Sequence, residues 1–192
     1  MATIAVITPS KGRKSLSHVI EHTAQILTDA DRHFIGLDSL APNFSLPDLP
    51  SPLPPMSVVY EMPVLRSAYG NGQRDALLAL ATAYDYAVFC DDDDLLDNEG
   101  ISAIRGLDPA TDKSGLHLFH MRGPLGQRLL MRAIMPGAVS GGMFVCKIRP
   151  DMPKWMYAGH QQSADFGFIN SSIAKYGHPT LHDEILLHLD VA

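Results

Sequence analysis

The chain opens on an unbroken apolar run, Ile4-Ala5-Val6-Ile7, closed by Thr8-Pro9-Ser10, and residues 15–27 then repeat apolar side chains at helical spacing. This predicts strand, loop, helix. Residues 32–38 read as a second strand ending in a carboxylate, and residues 57–61 as a third. Between them, Pro42 to Pro55 carries six prolines, which excludes a central strand or helix and predicts an extended surface loop. Gly70-Asn71-Gly72 marks a turn, the Ala- and Leu-rich segment 73–84 a helix, and residues 86–90 a fourth strand. Repeated strand–helix alternation argues for an α/β fold with a mostly parallel sheet flanked by helices.

Beyond residue 97 the pattern changes. Residues 116–122 and 127–133 flank Gly123-Pro124-Leu125-Gly126 and read as a hairpin. In residues 138–146, Gly141 and Gly142 precede another strand, where a ligand or a second backbone can approach closely. Residues 166–176 form a helix ended by Gly177 and preceded by Asp165, and residues 184–189 a last strand. The expected organisation is one domain over residues 1–192, a parallel half (1–97) followed by a mixed half (98–192).

Composition narrows the class. With 192 residues, 46% of them hydrophobic, the chain can bury one substantial core but is short for two. No apolar stretch approaches the roughly 20 residues of a membrane span, and no basic segment precedes the first apolar run, so a soluble, cytoplasmic protein is expected. Cys90 and Cys146 lie in apolar strand-like runs, where a free cysteine behaves as a small hydrophobe. The net charge of −6 hides an asymmetry. From Asp85 to Gly115 nine acids face two bases, whereas from Leu116 to Gly159 Arg122, Arg128, Arg132, Lys147, Arg149 and Lys154 face Asp151 alone. One part suits a cation and the other an anion.

The candidate chemistry centres on Asp91-Asp92-Asp93-Asp94, four carboxylates that leave the end of an apolar strand. Ligands of open α/β sheets bind at the carboxyl ends of strands, and Mg²⁺ or Mn²⁺ favours one or two carboxylates together with substrate phosphates. A solvated acidic turn is the alternative. Other motifs fail: Gly12-Arg13-Lys14-Ser15 lacks the Gly-Lys pair of a phosphate loop, although Arg13 can reach a nucleotide from there. Leu95 occupies a ligand position of an EF-hand counted from Asp91, and no Cys/His spacing suits zinc.

Together, Thr8-Pro9 after the first strand, Asp38 after the second, Gly70-Asn71-Gly72-Gln73-Arg74 opening a helix, the Phe-x-Asp-x-Asp-Asp of Phe89 to Asp94, and Ala164-Asp165 before a late helix resemble a GT-A glycosyltransferase of family 2 type. The resemblance covers nearly the whole chain. It implies a metal-dependent enzyme that moves a sugar from a nucleotide-diphosphate sugar, a UDP-sugar foremost, to an acceptor hydroxyl, with residues 1–97 holding the nucleotide and 98–192 the acceptor. Asp91-Asp92-Asp93 falls on the family's Asp-x-Asp motif: Asp91 would face the ribose side, with Asp92 beside it at the nucleotide, and Asp93 would hold the Mn²⁺ or Mg²⁺ that bridges the diphosphate. Thr8 and Pro9 would line the nucleotide pocket, Asp38 would bind the base, and Arg74 would support base or phosphate. Asp75 follows Arg74 where the family usually has Asn. Asp165 falls on the acidic pair whose second member is the catalytic base of inverting members; a helix N-cap is its other reading. His182 would complete the metal shell as a late histidine does in some GT-A enzymes.

The chemistry is coherent on its own terms. A divalent ion neutralises charge developing on the leaving diphosphate, and a carboxylate can take the acceptor's proton. Trp155 and Tyr157 are a stacking platform or an aromatic core, and His160 could touch the acceptor. A nucleotidyltransferase and a non-catalytic nucleotide-sugar binding module remain as alternatives. Acceptors stay open among DNA, polysaccharide and small molecules. Small GT-A-like phage enzymes that glycosylate hydroxymethylated pyrimidines make modified DNA one of them, against the acidic total charge.

Overall fold

A computed structural model describes residues 1–39, 48–62, 70–129, 134, 140–155 and 164–189. Arg132, Tyr157 and His160, and the first half of the proline-rich loop, lie outside the described residues. The chain order is β1 (Ile4–Ser10), α1 (Leu16–Ile26), β2 (Arg32–Leu37), β3 (Ser57–Glu61), α2 (Asn71–Leu80), β4 (Tyr86–Phe89), β5 (Leu95–Leu96), α3 (Asn98–Arg105), β6 (Leu116–Arg122), β7 (Arg128–Leu129), a single 3₁₀ turn (Gly141–Met143), β8 (Phe144–Lys147), α4 (Ala164–Tyr176) and β9 (Thr180–His188).

One sheet contains all the described strands, in the order β3-β2-β1-β4-β8-β6-β9-β5, with β7 paired to β6. β3, β2, β1 and β4 are parallel to one another. Beyond β4 the sheet is mixed: β8 is antiparallel to both β4 and β6, β6 and β9 run parallel, and β5 is antiparallel to β9. The parallel half has helices on its faces, so β1 and β4 are buried along their whole length, as their apolar runs require. Helix α1 turns Leu16, Val19, Ile20, Thr23 and Ile26 inward, the spacing of one helical face.

Two elements depart from the expected bounds. Helix α2 stops at Leu80 rather than at residue 84, because the Asp85 carboxylate accepts from the backbone N–H and the hydroxyl of Thr3 (2.8 and 2.9 Å) and pulls the chain into a turn that starts β4 beside β1. β9 begins at Thr180, well before residue 184, since its first half is exposed or half-exposed and shows no apolar alternation, and its register with β6 shifts between Leu118 and Met121. Helix α3 is capped by Asp97, whose carboxylate accepts from the Glu99 N–H (2.8 Å), and it lies so close to β9 that a Cβ on Gly100 would stand 2.7 Å from the Ile185 carbonyl. The predicted hairpin forms between β6 and β7, closed by the Gly123 N–H on the Gln127 carbonyl (2.8 Å). Cys90 and Cys146 are both free and buried.

Candidate active site

The order β3-β2-β1-β4 reverses direction at β1, and at such a point open α/β sheets take their ligands in the crevice outside the carboxyl ends of the strands, here β1 and β4. Four loops meet there: Ser10–Ser15 after β1, Asp38 after β2, the start of α2, and the acidic run after β4. The backbone N–H of Asp38 donates to the Ser10 carbonyl (2.8 Å), which places buried Asp38 against the end of β1.

As the chain leaves β4 its side chains keep alternating. Asp92 and Asp94 are buried, whereas the side chains of Asp91 and Asp93 are 49% and 28% exposed. The run closes as a turn, with the Asp94 N–H on the Asp91 carbonyl (3.2 Å), and the buried Cys90 thiol donates to the Asp94 carbonyl from beneath (3.4 Å). Burial and four nearby carboxylates hold that thiol well above its usual pKa, so it stays a proton donor.

Asp92 fastens two loops together. It accepts from the Ser10 hydroxyl (2.6 Å) and lies 3.1 Å from the Arg13 guanidinium, and its own carbonyl accepts from the Ser15 hydroxyl (2.7 Å). Burial pushes its carboxyl up; the Ser10 and Arg13 contacts oppose that shift and the Asp91 charge adds to it. Arg13 also donates to Asp93, so it bridges two members of the run.

Arg74, buried in the first turns of α2, donates to the Asn71 side chain (3.1 Å) and to Asp91, and its guanidinium lies 4.9 Å over the Trp155 ring. Helix α2 starts at Gly70, whose φ of +80° and close packing on the Pro9 ring (2.7 Å from a Cβ built there) leave no room for a side chain. Trp155 is fully buried, stacked on Phe168 (4.4 Å) and edge-on to Phe89 (5.1 Å). Of its two readings it takes the aromatic core, forming the floor beneath Arg74 rather than an open platform. Asp75 anchors the residue by accepting from the Trp155 backbone N–H (2.9 Å).

Asp165 is the second residue of α4, and it accepts from the Gly141 N–H. Burial pushes its carboxyl up, the Arg74 charge pulls it down, and the Asp91 charge pushes it further up. Asp91, Arg74 and Asp165 therefore sense one another electrostatically. The glycines have a different purpose from the one expected: a Cβ on Gly141 would stand 3.0 Å from Trp155 and 3.4 Å from Asp165, and one on Gly142 2.5 Å from Leu187. Both are close-packed against protein groups.

Thr8 is fully buried in β1, its hydroxyl 2.9 Å from the His33 ring. It lies inside the sheet behind Ser10. The structure does not bring His182 to the acidic run. Its ring stacks on Phe119 (4.3 Å) and bonds to His117 (3.0 Å), which bonds to Asp112 (2.9 Å), which accepts from the Tyr86 hydroxyl (2.6 Å). Tyr86 begins β4 and the acidic run follows its other end, so the parallel register of β6 and β9 commits His182 to a buried network elsewhere. Among the described residues no group of three or more His, Cys, Asp or Glu forms a ready metal cluster.

Sequence reasoning missed Ser10, Ser15 and Asn71, small polar residues that act through the site's charged groups; their position at strand ends and helix starts was the available signal. Two bases of the basic segment are engaged locally. Lys147 donates to the Pro109 carbonyl, and Arg149 donates to the Lys113 and Ser114 carbonyls (2.9 and 3.0 Å) while lying over Tyr176. No helix among the described residues is long and apolar enough to cross a membrane.

No protein-family model matches the chain, and no curated protein matches it in sequence. Solved structures do resemble it. Residues 1–349 of S. aureus TarS superpose with a TM-score of 0.68 at 12% identity, over 98% of this chain and 60% of that one; TarS has been solved with UDP and with UDP-GlcNAc. The mannosyltransferase PcManGT from Pyrobaculum calidifontis, in complex with GDP-Man and Mn²⁺, gives 0.67 at 13% identity over 98% of this chain and 57% of its own. A glycosyltransferase involved in the glycosylation of the major capsid of PBCV-1 gives 0.53 at 11% identity, covering 99% of this chain and 93% of its own. The chain thus spans about 60% of the length of the first two. At these identities the likeness is one of architecture, and it shows that the chain has the GT-A-like α/β fold of glycosyltransferases.

Proposed function

We propose that the protein transfers a sugar from a nucleoside-diphosphate sugar to an acceptor hydroxyl. The observation that carries this reading is the convergence, at the β1/β4 crevice, of outward-facing Asp91 and Asp93, the guanidinium groups of Arg13 and Arg74, and the raised-pKa carboxyl of Asp165. Similar folds solved with UDP, UDP-GlcNAc and GDP-Man support a nucleotide-sugar donor.

A divalent ion fits the donor set. Asp91 and Asp93 offer hard carboxylate oxygens on partly exposed side chains, and Mg²⁺ or Mn²⁺ needs only one or two such groups when phosphates complete the shell. Bound there, the ion would act as a Lewis acid on the leaving diphosphate. The chain's own residues do the rest. Arg74 and Arg13 supply positive charge beside the diphosphate, and Asp38 shapes the wall at the nucleotide, while Thr8 and Pro9 support that wall from within the sheet. Asp165 takes the acceptor's proton as the new bond to the anomeric carbon forms and the bond to the phosphate oxygen breaks. Burial brings its pKa closer to working pH, which improves a carboxylate as a general base.

Titration with UDP- and GDP-sugars in Mn²⁺, followed by release of the nucleoside diphosphate on addition of candidate acceptors, tests the proposal. Binding of no nucleotide sugar would refute it. The acceptor stays open among neutral sugars, small molecules and modified DNA. A polyanion would bind more weakly as salt rises, and Lys147 and Arg149, being tied to carbonyls, would contribute little to it.

A further inference from the structure

Arg13 occupies the position from which a divalent ion would be held. Its guanidinium donates to Asp93 and stands 3.1 Å from Asp92. The arginine side chain is 39% exposed and Asp93 28%, whereas Asp92 is 6% exposed and fixed by Ser10. Asp92 is therefore the buried partner of Arg13 and Asp93 the solvent-facing one. Arg13 follows Gly12, whose φ of +85° belongs to a loop residue without side-chain restraint, and whose N–H is held by the Ser10 hydroxyl (3.0 Å). The backbone beneath Arg13 is anchored, and only its long side chain needs to move.

We propose that Arg13 is a latch on the acidic run. It holds Asp93, competes with a divalent ion for that carboxylate, and turns onto the diphosphate, keeping its contact with Asp92, when ion and nucleotide arrive together. This deepens the glycosyltransferase reading above and rests on it. A cation alone must displace a guanidinium to reach Asp93, and then lies beside a positive charge that has lost a partner. A nucleoside diphosphate removes that obstacle by giving Arg13 an anion that it can bind in bidentate fashion. Ion and nucleotide thus bind cooperatively, and each strengthens the other by the same factor.

The test is titration of Mn²⁺ alone, by the loss of its free-ion electron paramagnetic resonance signal, into the full chain and into Arg13→Gln and Arg13→Lys. Circular dichroism and melting temperature serve as folding controls. The latch predicts that Arg13→Gln binds Mn²⁺ about 3- to 10-fold more tightly than the parent, the scale of releasing a partly exposed ion pair and a neighbouring charge. Arg13→Lys, which keeps the charge, should stay near the parent. UDP or GDP binding in saturating Mn²⁺ should weaken about 10-fold in Arg13→Gln, since one charged contact is lost. Unchanged or weaker Mn²⁺ binding by Arg13→Gln overturns the latch while parent nucleotide binding leaves the donor reading standing. If neither parent nor variant binds Mn²⁺ or nucleotide, the donor reading fails and the latch fails with it.

Discussion

Replacing Arg74 with Gln should show that this residue is both a structural strut and a charge that offsets part of the rise in proton affinity that burial imposes on Asp165. The buried guanidinium donates to Asn71, lies over fully buried Trp155 and reaches Asp91. The bond to Asn71 from a charged donor is worth about 1.5–3 kcal/mol and a desolvated cation–π contact about 2. The pair with half-exposed Asp91 is screened by solvent and adds about 0–1. Relieving the desolvation of a buried charge offsets several kcal/mol of this, so a net loss of about 2 kcal/mol is expected. For a chain of this length that lowers the melting temperature by about 4–8 °C. The Arg74 charge also holds the Asp165 carboxyl down, so its removal moves that pKa further up. If Asp165 acts as the proposed general base it must be ionised to do so, and the acid limb of the pH–rate profile should then move to higher pH. Carboxyl-carbon NMR titration of Asp165 reads the same shift without needing turnover. A variant that melts with the parent and titrates at the parent's pH would refute the reasoning.

Asp165→Asn should lower turnover by about 10²-fold or more, with donor affinity nearly unchanged; it should also stabilise the protein at neutral pH, because burial raises the Asp165 pKa on folding and the fold therefore disfavours its charged form. Loss of stability with normal turnover would make Asp165 a structural residue. His33, fully buried beside Thr8, is held down to about 3 by desolvation. The unfolded chain takes up that proton near pH 6.5 and the folded chain does not, so His33 contributes stability above pH 6.5 that is lost as pH falls toward 3. Denaturant melts should show His33→Gln flattening that slope by up to about 1.4 kcal/mol per pH unit, one proton's worth; an unchanged slope would contradict this.

The parallel half was legible because its central strands β1 and β4 are buried on both faces and read as apolar runs. Ile4–Ser10 and Tyr86–Phe89 could hardly be anything else. The first half of β9 was not legible, since exposed Thr180 and Leu181 carry no alternation and only the pairing with β6 makes them strand. The acidic run was visible as charge, but not the alternation that buries Asp92 and Asp94 and turns Asp91 and Asp93 outward, because that depends on where β4 ends. Arg13 was noticed in a failed phosphate-loop motif. Its bridge to Asp92 and Asp93 joins segments some eighty residues apart, which no local pattern reports. His182 was misplaced for the same reason. A late place in the chain does not say which end of the sheet a histidine serves, and strand register does.

If Asp93 and a divalent ion together hold the diphosphate of a nucleotide-sugar donor, nucleotide binding depends on both. Calorimetric titration of UDP and GDP into the full chain and into Asp93→Asn, with Mn²⁺ and with excess chelator, tests it most directly. The account predicts nucleotide binding that depends on Mn²⁺, disappears in chelator, and weakens by about 10-fold or more in Asp93→Asn, the loss of one charged contact, while the melting temperature stays near the parent's. Equal nucleotide affinity in chelator and in Mn²⁺, undiminished by Asp93→Asn, would contradict it.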